Sequence, residues 1–583
     1  MGRDSSKKTI ALIVENIFTD FAGGLIQSLS NATHLYKNIN LVVIAGQYDL
    51  TRTLVQQYQD YLGSYNAIYQ LQQQCKFDGM IVCLGSMVPA NVELFDRWVK
   101  RNQNMPTVYT VCEIEDRVSV NYDNTTGIRE AVDYLVNFNG FRHFAMMGGR
   151  EDNFDSMKRK AIYSQSLAEY GITFEEKNYI ATEMFVDTQE EARILLDRNP
   201  DVQAIFCVND SVAVGLYQEM ARRRLVPGKD IMVFGFDNTK TATRMIPPLA
   251  SVGAGNETMG KKALELLLKM IDGEQVESAT VGTRFYGRES LPYSMYEFSN
   301  IDWRNIEEET IYNMFDECFY RYKPEFVSRE AIDLRRLLKE IITHIISALR
   351  NQYMSSDSFN EAKDLIRIFF DNGAMRYTDT EKFLSSIDRL YASVNATQNR
   401  SSSGHIEYVN RLFSYARDCV IQSLSKTIRN KNDEQTRFRR NLLDFLVDIE
   451  DAEGEQDNLV NRIVANFEKL NMRDAALFCF DHPVIYEKGV EDFFPEMIRL
   501  CCLTKGGQLH VISEERRAGR LSELYQRVEL ADIYKECATF PIFYKTHYYG
   551  FLVCKIDSMI STSGECIAQQ IGRSIYLLGE KLI

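Results

Sequence analysis

No run of about 18 apolar residues occurs anywhere in the 583-residue chain, so no segment reads as a membrane-crossing helix. The twelve Cys stand as singles apart from Cys501-Cys502, none at CxxC spacing, and the seven His are isolated. Neither a zinc site nor a disulfide framework fits that scatter, and a reducing cytoplasm does. The N-terminus, MGRDSSKKTIALIVENIF, has neither the apolar core nor the small-residue cleavage site of a signal peptide. The P-loop, GxSxG, HExxH and kinase signatures are missing. Neither an enzyme nor a bound cofactor or metal is therefore expected. Positive charge is also in deficit: 67 basic against 81 acidic residues give a net charge of -14, which argues against a dominant nucleic-acid surface.

What is present is a long, ordinary globular composition. Such a length exceeds one core, and roughly three or four domains is the expectation. The first half alternates strands and helices. Thr9–Val14, Leu41–Ala45, Met80–Leu84 and Thr107–Val111 are apolar runs, as strands buried on both faces should be. Helical spacing predicts Phe21–Leu35, Thr51–Cys75 and Asn91–Val99 between them. The rhythm restarts after Asn124 with a helix over Thr125–Asn137 and a strand over Phe144–Met147. A helix over Lys158–Tyr170 and another over Thr188–Leu196 follow. Two parallel-sheet lobes with helices on both faces are the α/β architecture this pattern implies.

The sharpest stretch is Ala204 to Leu249. The strand Ala204–Val208 ends in Asn209-Asp210, and the strand Ile231–Phe236 ends in Asp237-Asn238. Open α/β sheets bind ligands at such C-terminal strand ends. Asp210 also suits a helix N-cap, and Asp237 a turn.

Seven segments in order carry a family resemblance: IALIVENIFTDF, VNYDNTTGIREAVDYLVNFNGFRHFAMMGG, the Arg159-x-x-x-Tyr163 helix start, AIFCVNDSVAVG, DIMVFGFDNTKTATRMIPPLASV, MGKKALELLLKMIDG and FYGRESL. Residues 7 to 293 resemble the effector-binding core of the LacI/GalR regulators, a type I periplasmic-binding-protein-like fold. The resemblance implies a homodimer and two lobes closing on a small polar effector, a sugar or nucleoside-like molecule. Carried across, it places Phe18, Asp20 and Phe21 in the loop after the first strand. Arg159 stands at a ligand-gripping position, Phe185 near an aromatic wall, and Asn209, Asp210 and Asp237 at the strand ends. Arg and Asp supply the donors and acceptors a hydroxylated ligand needs, and Phe a flat face to stack on. The sequence departs from the family where Ile162 replaces a glycine and where Ser251–Asn256 is small and mostly apolar. With the first strand at Thr9, no helix-turn-helix is expected before it, and direct DNA binding by this chain is not expected.

The expected layout is a ligand-binding domain over 1–293, with one lobe over about 9–122 plus 254–290 and the other over about 123–253. A helical bundle or stalk over 294–454 follows. Its helices are predicted over Asn305–Tyr320, Arg329–Arg350, Glu361–Phe370 and Thr380–Ala392, then a Ser-rich connector over Asn395–Ser403. Two long helices, Tyr408–Ile428 and Asp433–Glu450, are joined by the polar Arg429–Asn432. Arg437, Arg439 and Arg440 read as a solvated helix face. The last segment, 455–583, runs helix, strand, variable loops, hairpin, helix, an α+β order that resembles a GAF-like domain. Cys501 and Cys502 there read as core thiols. Such a series looks like the sensory half of bacterial signalling proteins such as diguanylate cyclases, although the Gly-Gly-Asp/Glu-Glu-Phe signature of those enzymes is absent. The expected function is a cytoplasmic, ligand-sensing transcriptional or signalling regulator whose closure is passed to the second half. The alternatives are the input portion of a diguanylate cyclase with its catalytic domain beyond residue 583, or a simple binding protein.

Overall fold

The structure is a computed structural model. It describes residues 7–577 apart from 18, 34, 37, 48–55, 88–104, 113, 115, 255–257, 292–305, 320–321, 323–332, 379–382, 385–386, 389, 393, 395–403, 451–455, 471, 488–489, 491–492 and 557–559. The predicted helix over Asn91–Val99, the Ser-rich connector and Phe18 lie outside the described residues, as do parts of the helices predicted over Thr51–Cys75 and Thr380–Ala392. The chain forms two compact units, residues 1–293 with 440–583, and residues 294–439.

In the first unit, the apolar runs become strands because each is buried on both faces. β1 (Lys8–Glu15), β2 (Ile39–Gly46), β3 (Gly79–Cys83), β4 (Thr107–Thr110) and β5 (Ser119–Tyr122) form a parallel sheet. In the second lobe, β6 (Phe144–Met147), β7 (Tyr179–Ile180), β8 (Ala204–Cys207), β9 (Met232–Phe236) and β10 (Ala250–Ala254) lie in order β10-β9-β8-β6-β7. The chain then returns to add β11 (Ala279–Val281) beside β5, and crosses again to lay β12 (Thr283–Tyr286) antiparallel against β10. The segment expected in the first lobe over about 254–290 is thus split, β11 lying there and β12 in the second lobe. The helices are α1 (Asp20–Thr33), α2 (Gln56–Asn66), α3 (Thr126–Asp133), α4 (Phe154–Glu169), α5 (Gln189–Arg198), α6 (Asp210–Arg222) and α7 (Met259–Ile271). α4 starts earlier than its apolar periodicity because Asn153 caps it, its side chain accepting from Ser156 N.

The last segment continues the first lobe. β13 (Ala475–Ile485), β14 (Met497–Lys505), β15 (Gln508–Leu509), β16 (Ala518–Arg520), β17 (Glu536–Tyr544) and β18 (His547–Lys555) form an antiparallel set in order β17-β18-β13-β14-β15, with β16 beside β14. β17 pairs in parallel with β2, Glu536 to Thr539 against Leu41 to Ile44, so one 12-stranded sheet runs through both. One apolar core spans the seam, including Val42, Ile44, Tyr65 and Tyr69 from the lobe and Phe478, Phe543, Tyr548 and Phe551 from the C-terminal segment. Polar contacts add to it. Gln70 Nε2 donates to Val490 O at 3.1 Å, and Gln47 Nε2 and Tyr61 OH donate to the Glu565 carboxylate. Burial raises the Glu565 pKa, an effect partly offset by the Tyr61 hydrogen bond.

The second unit holds α8 (Glu308–Cys318), α9 (Leu334–Asn351) and α10 (Ser356–Asp371), with a core that includes Phe315, Phe319, Ile341, Ile345, Phe369 and Phe413. α11 (Gly404–Glu450) is one helix of 47 residues. This corrects the two-helix expectation. The polar joint Arg429-Asn430-Lys431-Asn432 contains neither Gly nor Pro, and ordinary residues cost at most about 0.7 kcal/mol each in a helix, too little to break one. Arg437, Arg439 and Arg440 are exposed on it. In the first unit, α12 (Gln456–Lys469) and α13 (Ile560–Leu577) complete the helices. Among the described residues no helix is long and apolar enough to cross a membrane.

Candidate functional site

The two lobes face each other across a cleft at the C-terminal ends of their parallel strands. Glu15 ends β1, Val111 follows β4, Arg150 follows β6, Asn209 follows β8 and Asp237 follows β9, and all line one cavity of about 950 Å3, open mouth included. Asp20, Phe21, Asp155, Arg159, Phe185, Ser211 and Thr239 complete much of its wall. Val111, Met184 and Asp237 adopt φ of 58°, 66° and 94° there, the left-handed region that side chains rarely visit. Strain of this kind gathers where a fold over-determines a functional backbone.

Arg159 is the hub. Its guanidinium is 3% exposed and donates from Nε to Asn124 Oδ1 at 3.0 Å and from Nη1 to Val208 O at 2.8 Å. Nη2 reaches Asp155 Oδ2 at 3.2 Å and Asp237 Oδ1 at 3.3 Å. The group also stacks on Phe236, 3.6 Å from the ring centroid. Its donors are therefore largely committed to the protein, and its position is rigid. Asp237 carries an exposed fraction of 15% on its side chain, and burial raises its pKa while Arg159 pulls it back.

Asp210 stands apart. It does not line the cavity: the side chain is fully buried, Oδ2 accepts from Thr239 N and Oγ1, and Oδ1 accepts from Ser251 Oγ at 2.6 Å. It ties the Asp237 loop to β10. Asn209, not Asp210, caps α6, accepting from Val212 N at 2.9 Å. Burial, and then the Asp237 charge, push the Asp210 carboxyl up to about 7. Asn209 Nδ2 also holds Met184 O at 3.2 Å, fixing the loop that carries Phe185.

Asp20 bridges the lobes. Its Oδ2 accepts from Thr241 N at 3.0 Å and from Thr241 Oγ1. Of the residues named from sequence, Asp20, Phe21, Arg159, Phe185, Asn209 and Asp237 meet at the cavity, Asp210 lies behind it, and Phe18 lies outside the described residues. Glu15, Asp155 and Glu183 were missed. Asp155 had a signal: it precedes Arg159 by one helical turn, the spacing of an ion pair on one face.

With the geometry in place, comparison with known proteins is informative. Residues 132–291 match the family model described as a periplasmic binding protein-like domain. The mixed α/β fold of the N-terminal part is thus that of a periplasmic-binding-protein-like domain. The chain is 33% identical over 166 residues, 28% of its length, to the HTH-type transcriptional regulator CelR of Thermobifida fusca, covering 48% of that protein. It is 27% identical over 209 residues, 35% of its length, to the HTH-type transcriptional repressor CytR of Escherichia coli (strain K12), covering 59% of it. The chain therefore spans about half the length of these curated relatives, which are transcriptional regulators. Among solved structures, a CelR–cellobiose complex aligns over 49% of this chain and 86% of that one, at 24% identity and a TM-score of 0.40.

Proposed function

We propose that this chain is a cytoplasmic, ligand-sensing regulator that binds a sugar- or nucleoside-like effector between its lobes. The carrying observation is the cleft itself: a rigid Arg159 hub, carboxylates at strand ends, Phe21 and Phe185 on the wall, and the Asp20–Thr241 bridge from lobe to lobe. Effector contacts to both lobes favour the closed arrangement, and the population shifts toward it by the difference in affinity for the two states. Closure is read by the helical unit and by a GAF-like C-terminal domain, and the regulator acts as a homodimer through a partner that carries the output. The strand order β17-β18-β13-β14 with helices before β13 and after β18 supports the GAF-like reading. CelR and CytR, as transcriptional regulators, support a regulatory rather than enzymatic role.

The test is a thermal-shift and calorimetric screen of saccharides and nucleosides against the full chain. A true effector at 100 times its Kd adds about 2.7 kcal/mol to the unfolding free energy. The shift should disappear in Phe185→Ala and in Asp237→Asn, which leave the Arg159–Asp155 pair in place. A screen with no stabilising compound sinks the reading.

A further inference from the structure

The charge inside the cleft narrows the effector further, an inference that rests on the effector reading above. Five carboxylates face the cavity: Glu15, Asp20, Asp155, Glu183 and Asp237. Two guanidiniums oppose them among the described residues. Arg159 is consumed by Asp155, Asp237, Asn124 and the Val208 carbonyl, and Arg150 pairs with Asp152 at 2.9 Å. Arg150 uses only its Nε there, but five carboxylates against two guanidiniums still leave the described lining with an excess of three negative charges. The acceptor side is in surplus instead. Asp237 gives Oδ1 to Arg159, and its Oδ2 has no partner among the described residues while the side chain remains partly open to the cavity. A buried acceptor of this kind is matched by an O–H or N–H donor on the ligand. A carboxylate or phosphate brought into the same low-dielectric space would meet that excess of like charge.

We infer that the cleft takes a hydroxyl- or amine-bearing effector without negative charge, and rejects the carboxylated and phosphorylated relatives of the same molecule. The committed Arg159 positions Asp155 and Asp237 rather than gripping an anionic ligand group. Neutral saccharides, amino sugars and nucleosides fit this chemistry, whereas uronates, sugar phosphates and nucleotides do not.

The experiment is calorimetric titration of the full chain with matched sets: glucose, cellobiose, glucosamine and adenosine, against glucuronate, glucose 6-phosphate and adenosine monophosphate, widened to a general library of neutral and acidic saccharides and nucleosides. The expected result is a neutral or cationic hit whose acidic derivative binds at least tenfold more weakly. Glu183→Gln, which removes one carboxylate, should narrow that gap by about threefold. An acidic compound that binds as well as or better than its neutral counterpart overturns this inference and leaves the effector reading standing. An unchanged gap in Glu183→Gln also overturns it, because discrimination would then be steric. Silence across the entire library removes the effector reading, and this inference with it.

Discussion

At the residue scale, the molecule depends on how a few buried charges are paired. Arg159 faces Asp155 and Asp237 in a nearly dry setting, and removing one partner of such a set leaves uncompensated charge. Arg159→Ala should lower the unfolding free energy by about 3–5 kcal/mol in denaturant titration and abolish effector binding. Arg159→Lys should restore little, since one ammonium cannot serve Asn124, Val208 and two carboxylates in a planar fork. Asp210 behaves oppositely. Its folded-state pKa of about 7 lies above the usual value of 3.8, so the native state holds a proton that the unfolded chain releases. Its contribution to stability is then fully present below about pH 4 and is lost as pH rises through 7, a fall of a few kcal/mol. Asp210→Asn should flatten that part of the stability-against-pH curve. A slope unchanged by the substitution would assign the titration to another group. Both aspartates at the strand ends were visible in the sequence. Which of them opens to the cleft was not, because Asn209 takes the cap and β10 supplies Ser251 to turn Asp210 inward.

At the element scale, close backbone approach and strand edges set the limits. Gly550 has φ of 154°, and a Cβ there would lie 1.9 Å from Phe478 O across the β13–β18 pair. Gly550→Ala should cost about 2–3 kcal/mol and reduce the folding yield, measured by urea midpoint at constant m-value. The β17–β2 pairing runs from Glu536 and stops at Thr539, and Pro541, two residues on, has no N–H with which to extend the ladder. α11 illustrates the reverse case, where local pattern misled. A polar quartet without Gly or Pro looks like a joint, yet helix propagation through it costs little once both sides are helical. Periodicity located most strands within a residue or two because apolar runs buried on both faces leave no alternative.

At the scale of the whole molecule, the first lobe and the last segment share a sheet and a core although more than 400 residues of sequence separate Leu41 from Glu536. Tyr61, Tyr65, Phe543 and Tyr548 pack at centroid separations of 5.2 to 6.2 Å, pairs worth about 0.5–1.5 kcal/mol each beyond area burial. A fragment of residues 1–293 should therefore expose the β2 edge and the apolar surface around Tyr65, and self-associate in size-exclusion chromatography. Co-expression with residues 440–583 should return it to the soluble fraction. A fragment that is monodisperse alone, with the thermal midpoint of the full chain, would show the seam to contribute nothing. In the proposed closure the second lobe would move against a body made of the first lobe and the C-terminal segment.

The sequence by itself determined the two-lobed α/β plan and pointed to six of the eighteen residues that line the cleft, because burial demands apolar runs and strand ends demand polar ones. The tertiary structure alone decided the rest. It spent Arg159 on internal acids, turned Asp210 away from the cavity, and brought Glu15 and Glu183 to the wall. It also joined β17 to β2, a pairing that leaves no local signal, since an edge strand covered by a distant segment reads like any other buried strand.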